Sequence, residues 1–124
     1  MIAVDTSSLV QYLAGDRGDD IELVDQAIVA RRLVIPPLVL TELMSAPAHG
    51  RRAGEALTGL PVLEITSGYW ERAGLLRARL LAKGHKARVG DALIAQSCLD
   101  HDVALITRDR DFRHFIAHGL RVAP

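Results

Sequence analysis

The stretch MIAVDTSSLV, residues 1–10, decides the fold. Ile2, Ala3 and Val4 form a short apolar run of the kind a fully buried strand shows. Asp5 closes that run, and Thr6, Ser7 and Ser8 follow as helix-opening residues before Leu9, Val10, Tyr12 and Leu13. A carboxylate at the carboxyl end of a buried strand, facing a helix start, sits where open α/β sheets bind their ligands. An isolated Asp there reads first as a plain helix N-cap. The choice turns on whether other acids fall at equivalent places.

Working outward, the same alternation recurs. Gly15 ends the first helix, and Asp16 to Asp20 make a polar loop. Asp19 and Asp20 lead a second helix, where acids suit the positive end of the helix dipole, and Arg31 and Arg32 finish it. Leu33, Val34 and Ile35 read as the next buried strand. Pro37 then suits the first position of a third helix, Leu38 to Ala46, because its missing N–H does no harm there. Val39, Leu40, Leu43 and Met44 form the apolar stripe of that helix, and Glu42 falls towards its border; alone, it reads as a solvated surface residue.

A weaker helix is expected from His49 to Leu60, a third strand at Val62, Leu63 and Ile65, and the longest helix from Thr66–Gly68 to about Lys83. Trp70 reads as core or interface. After a basic loop, Gly84 to Gly90, Asp91 opens an apolar helix through Leu99. A fourth strand spans Val103 to Ile106, a last helix Phe112 to His118, and a short final strand Leu120 to Val122. Strands alternating with helices predict an α/β sandwich with a central, mostly parallel sheet of four to five strands flanked by helices. The 124 residues are expected to form one domain, 1–124.

Composition narrows the function. Apolar residues are 49% and charged residues 24% of the chain, which is globular rather than disordered. Aromatics are only 4%, so stacking on aromatic rings is not the main route to nucleic acid. Cys98 is the single cysteine, which excludes an intrachain disulfide and suits a reducing cytoplasm. The opening apolar run is broken by Asp5 and lacks a basic flank, so no signal peptide is expected, and nothing approaches the ~20 apolar residues of a membrane span. Net charge is zero but uneven: residues 1–50 carry seven acids and three bases, residues 51–124 eight acids and twelve bases. Arg72, Arg77, Arg79, Lys83, Lys86 and Arg88 follow one another without an acid between them. Such a patch attracts a phosphate backbone, or simply makes a solvated helix face.

Four acids share a positional logic. Asp5 and Asp109 each follow a buried strand and so lie at one edge of a parallel sheet; Asp91 opens a buried helix, and Glu42 sits in a helix directly after another strand. Converging carboxylates raise one another's pKa unless a cation intervenes. A hard divalent ion, Mg²⁺ or Mn²⁺, fits an all-carboxylate site, whereas a zinc site lacks ligands.

VDTSSLV, TELM, GDALIAQ and LITRDRDF resemble, in order and spacing, the four signature blocks of PIN-domain ribonucleases, and the chain's length resembles that of the VapC-type toxins of toxin–antitoxin pairs. By that resemblance Asp5, Glu42 and Asp91 take the places of the principal metal-binding acids, and Asp109 takes the fourth, with Asp111 as its understudy. Thr6 or Ser7, and Thr107, match hydroxyl positions that orient those acids. The resemblance implies an Mg²⁺-dependent endoribonuclease in which a metal-activated water attacks a phosphodiester. It further implies Arg72, Arg77, Arg79, Lys83, Lys86, Arg88, Arg108 and Arg110 as RNA-backbone contacts, RNA (often transfer RNA) as substrate, a homodimer, and a cognate VapB-type antitoxin whose Arg enters the acid cluster. Two other readings compete. A non-catalytic PIN-like binding module would have lost one or more acids, and none is lost. A phosphoryl-transfer domain of the dehalogenase type would need a DxD after the first strand, where Ser7 stands instead.

Overall fold

β1 (Ile2–Val4) lies inside a sheet, with β2 (Leu33–Val34) paired on one side and β3 (Ala104–Ile106) on the other. β4 (Val122–Ala123) extends the sheet beyond β3, so the order is β2-β1-β3-β4 and every pairing is parallel. These relations come from a computed structural model that describes residues 1–47 and 50–124. Ala3, Val4, Leu33, Val34, Leu105 and Ile106 are at most 2% exposed, as uninterrupted apolar strands covered on both faces require.

Seven helices among the described residues flank the sheet. α1 (Thr6–Leu13) and α2 (Asp19–Val29) connect β1 to β2; α3 (Pro37–Met44), α4 (Gly50–Ala56), α5 (Tyr69–Ala82) and α6 (Val89–His101) connect β2 to β3. A 3₁₀ helix (Arg110–His118) leads to β4. The chain steps one way from β1 to β2, and the other way from β2 past β1 to β3 and on to β4. Right-handed crossovers in opposite directions place their helices on opposite faces. The result is the α/β/α sandwich that the alternation predicts.

Local chemistry explains most element boundaries. Pro37 starts α3 at the position where a missing N–H is harmless. α6 is buried along Ala92, Ile94, Ala95 and Cys98, because it is sandwiched between β3 and α5. Phe112 and Phe115 are three residues apart and therefore eclipse on one side of the 3₁₀ helix, where both are buried. Burial of each contributes roughly 1.5–3 kcal/mol.

Three expectations are revised. The segment around Val62 makes a single parallel bridge to Ile35 rather than a strand. Ile35 donates to the Pro61 carbonyl and Leu63 donates back to Ile35, but Pro61 has no N–H and Val62 and Ile65 stay exposed, so the pairing does not spread. The last helix is 3₁₀ and begins two residues earlier, at Arg110. The second helix stops at Val29, leaving Arg31 at a positive φ of 56° and Arg32 beyond the end. His49, the expected start of the fourth helix, lies outside the described residues, and α4 runs from Gly50 to Ala56. Among the described residues no helix is long and apolar enough to cross a membrane.

Candidate metal centre

The connection from β1 leads towards β2 and that from β3 towards β4, so the chain parts between the carboxyl ends of β1 and β3. A crevice at such a switch point is where open α/β sheets place ligands. Asp5 follows β1 at once, and Thr107 follows β3. The Asp5 N–H donates to the Ile106 carbonyl at 3.0 Å, and the Thr107 hydroxyl donates to Asp5 Oδ2 at 2.7 Å.

Asp5 proves to be both a helix cap and part of the crevice. Its Oδ1 accepts from the Ser8 N–H at 3.2 Å, which caps α1. The Ser7 hydroxyl lies 2.9 and 3.0 Å from the two carboxylate oxygens. Ser7 has one hydrogen, so Ser7, Ser8 and Thr107 offer three protons to about four lone-pair sites of an ionised carboxylate. One lone pair is left over, enough for one bond to a cation. Asp5 is only 3% exposed, and burial raises its pKa against the lowering effect of the bonds from Thr107, Ser8 and Ser7.

Asp91 lies in the first turn of α6, whose N-cap is Arg88, so its carboxylate is not consumed as the cap. One oxygen from each of Asp91, Asp109 and Asp111 lies within 4.8 Å of the others. Asp109 caps the 3₁₀ helix by accepting from the Asp111 N–H at 2.9 Å, and its own N–H donates to Thr107 Oγ1 at 2.9 Å. Thr107 thus holds Asp5 and the Asp109 turn together. Burial, followed by the charges of Asp109, Asp111 and Asp5, pushes Asp91 up to about 6, with Arg88 opposing. Oxygen-only donors under mutual repulsion fit a hard divalent cation, which would relieve that repulsion.

Glu42, on α3, is exposed and accepts a 2.6 Å bond from the Thr6 hydroxyl, one residue along from Asp5. It stands at the mouth of the crevice, outside the three-acid group. Asp109 and Asp111, rivals for one place in the sequence, stand in that group together.

The basic residues divide. Arg72 grips Asp100 through Nε (3.0 Å) and a terminal nitrogen (2.7 Å), and also reaches Thr66 and the Ser67 carbonyl, tying α5 to α6. Arg77 donates to the Ala87 carbonyl at 2.8 Å. Arg108 is clamped on Asp20 at 2.8 and 3.1 Å and reaches Asp16 at 3.2 Å. Arg79, Lys83, Lys86, Arg88 and Arg110 are exposed and enter no ion pair among the described residues.

Sequence reasoning missed Asp20, which is 5% exposed and accepts from the Ser8 hydroxyl at 2.8 Å as well as from Arg108. Its place in a first helical turn disguised it, since acids are common there for local reasons.

The model of the PIN domain family matches residues 2–116. Solved structures share the fold across the whole chain. A chain of VapBC-1 from nontypeable Haemophilus influenzae superposes with a TM-score of 0.76 at 24% identity, covering 99% of this chain and 97% of that one. A chain of VapBC2 from Rickettsia felis, solved bound to a DNA fragment from their promoter, gives 0.75 at 20% identity, covering 99% and 98%. VapBC-5 from Mycobacterium tuberculosis, a member of the VapBC family of toxin-antitoxin systems, gives 0.70 at 21% identity, covering 98% and 94%. No curated protein matches the sequence.

Proposed function

The chain belongs to the PIN domain family, and from that premise we propose that it is a metal-dependent endoribonuclease, the VapC-type toxin of a toxin–antitoxin pair. The observation that carries this reading is the meeting of Asp91, Asp109 and Asp111 beside the buried Asp5 at the sheet's switch point. Asp5, Asp91, Asp109 and Asp111 would hold Mg²⁺ or Mn²⁺, and the bound ion supplies Lewis acidity toward a water and the scissile phosphate.

The chain's own residues do the rest. Thr107, Ser7 and the Ser8 N–H fix the Asp5 carboxylate in advance, so little reorganisation accompanies cation entry. Glu42, exposed and held by the Thr6 hydroxyl one residue from Asp5, would position the attacking water and take its proton. The unpaired Arg79, Lys83, Lys86, Arg88 and Arg110 hold the RNA backbone. Arg72, Arg77 and Arg108 are occupied within the fold, and we assign them a structural role instead.

The same acids explain how a partner would silence the protein. An Arg from a VapB-type antitoxin, the partner that the VapBC neighbours suggest, would satisfy the clustered carboxylates bidentately. Exposed Trp70, Leu81 and Val89, which border one groove between α5 and α6, suit burial between two copies in a homodimer. We place the protein in the cytoplasm, acting as one PIN domain over residues 1–124.

The test is incubation of the purified, antitoxin-free protein with total cellular RNA, in Mg²⁺ or in EDTA, beside Asp91→Asn. Discrete fragments that require both the ion and Asp91 are expected, and their ends identify the substrate. A folded protein that cuts nothing in Mg²⁺ would overturn the reading in favour of a non-catalytic binding module.

A further inference from the structure

Close to Arg79 and Lys83 of the basic set lie three imidazole side chains that the proposed chemistry leaves unused. His85, in the loop after α5, stacks on His114 of the 3₁₀ helix with ring centroids 4.5 Å apart and planes inclined by 20°. Residues three apart eclipse in a 3₁₀ helix, so His114 follows Asp111 along the same side and leads away from the acids. His118, four residues beyond His114, sits about a third of a turn round from that side, at the end of the helix. Burial, then the charges of Lys83, Arg79 and His85, hold its imidazole below the usual range. The charged groups facing it are therefore Arg79 and Lys83 from the end of α5 and His85 from the loop, and His85 in turn stacks on His114.

This surface suits an anion and not a metal. Rings stacked face to face direct their lone pairs in parallel rather than onto one point, and the nearby ammonium and guanidinium repel a cation. Neither Arg79 nor Lys83 enters an ion pair among the described residues. Cations gathered without a counter-charge create a positive potential that concentrates phosphate. His114 stands one 3₁₀ turn from Asp111, within reach of the phosphates that flank a scissile bond held at Asp91 and Asp111.

We propose that the surface formed by His85, His114 and His118 with Arg79 and Lys83 binds the ribose–phosphate backbone of the RNA flanking the scissile bond, with the His118 imidazole as a proton-dependent phosphate contact. The inference rests on the ribonuclease reading and extends it. A phosphate beside His118 offsets the neighbouring cations and restores the proton they disfavour. RNA binding is then accompanied by proton uptake, and affinity rises as pH falls through the histidine range.

The experiment measures binding of a fluorescein-labelled single-stranded RNA by anisotropy, in EDTA, using the full chain carrying Asp91→Asn. That background prevents cleavage and removes the titration of Asp91 itself. It is compared with the same chain also carrying His114→Gln and His118→Gln, and with one also carrying the exposed Lys83→Gln. The background is expected to bind about tenfold more tightly at pH about 5.5 than at about 7.5. The histidine variant should lose most of that dependence, and each lost phosphate contact should reduce the salt slope by about 0.7. Lys83→Gln should weaken binding at both pH values.

RNA binding unchanged in both variants would overturn the inference while leaving the ribonuclease reading standing. So would weakened binding with unaltered pH and salt dependence, which marks a merely structural role. Absence of RNA binding by the background chain would overturn both.

Discussion

The Thr107 hydroxyl, at the end of β3, donates to the Asp5 carboxylate, at the end of β1, across 2.7 Å and 102 positions of sequence. The same oxygen accepts the Asp109 N–H at 2.9 Å. One buried hydroxyl therefore closes the switch point and sets the turn that delivers Asp109 and Asp111.

Thr107→Val removes both bonds while preserving shape. It is expected to cost about 1–3 kcal/mol of stability, since a buried carboxylate oxygen loses its donor. It should also depress cleavage by tenfold or more, about 1.4 kcal/mol in the barrier. Thr107→Ser should recover most of both. Urea unfolding and RNA cleavage of the pair check this, and a Val variant as active as the parent would refute it.

Asp5→Asn separates capping from chemistry. The amide oxygen can still accept from Ser8 and cap α1, while the Thr107 hydroxyl can rotate to accept from the new NH₂. The metal-free variant is expected to fold with stability within about 1 kcal/mol of the parent and to show no cleavage. Circular dichroism, denaturant titration and RNA cleavage decide it; full activity or an unfolded variant would count against the site.

The raised pKa of Asp91 gives a pH signature. Between about 4 and about 6 the folded chain keeps a proton that the unfolded chain has released. Its contribution therefore weakens the fold as pH rises through that window and stays constant above it. Asp91→Asn lacks this term, so in EDTA the variant's stability relative to the parent should rise over the same window. Mg²⁺ at about a hundred times its Kd should return about 2.7 kcal/mol to the parent at neutral pH and far less to the variant. Thermal melts at several pH values, with and without Mg²⁺, test both halves.

Arg108→Gln should behave as a structural lesion. Removing the guanidinium leaves Asp20, buried under the Ser8 hydroxyl, without its ion partner. A measurable loss of stability is expected, smaller than for a fully dry pair because the Arg108 side chain is 33% exposed. The salt slope of RNA binding should be unchanged. A weaker slope with intact stability would return Arg108 to the RNA surface.

What the residues disclosed in advance was whatever short-range chemistry decides. The Ile2–Val4 strand, the Asp5 turn and the Pro37 helix start all follow from residues within a few positions of one another. What stayed hidden depended on distant partners. Arg108 looked free because Asp20 is 88 positions away. Arg72 looked like part of a basic face because its partner Asp100 lies on the next helix. The Val62 segment had strand-like residues but only one register point to pair with, which no local pattern reveals. Asp109 and Asp111 competed as alternatives on paper; the capping bond between them places both at the crevice.

The acids that meet at the switch point are distant in sequence: 104 positions separate Asp5 from Asp109. Until β3 docks beside β1, Asp5 has its local Ser7 and Ser8 donors but neither the Thr107 hydroxyl nor its carboxylate neighbours from beyond β3. A chain cut before residue 107 therefore lacks the assembled acid cluster, because Thr107, Asp109 and Asp111 all lie beyond the cut.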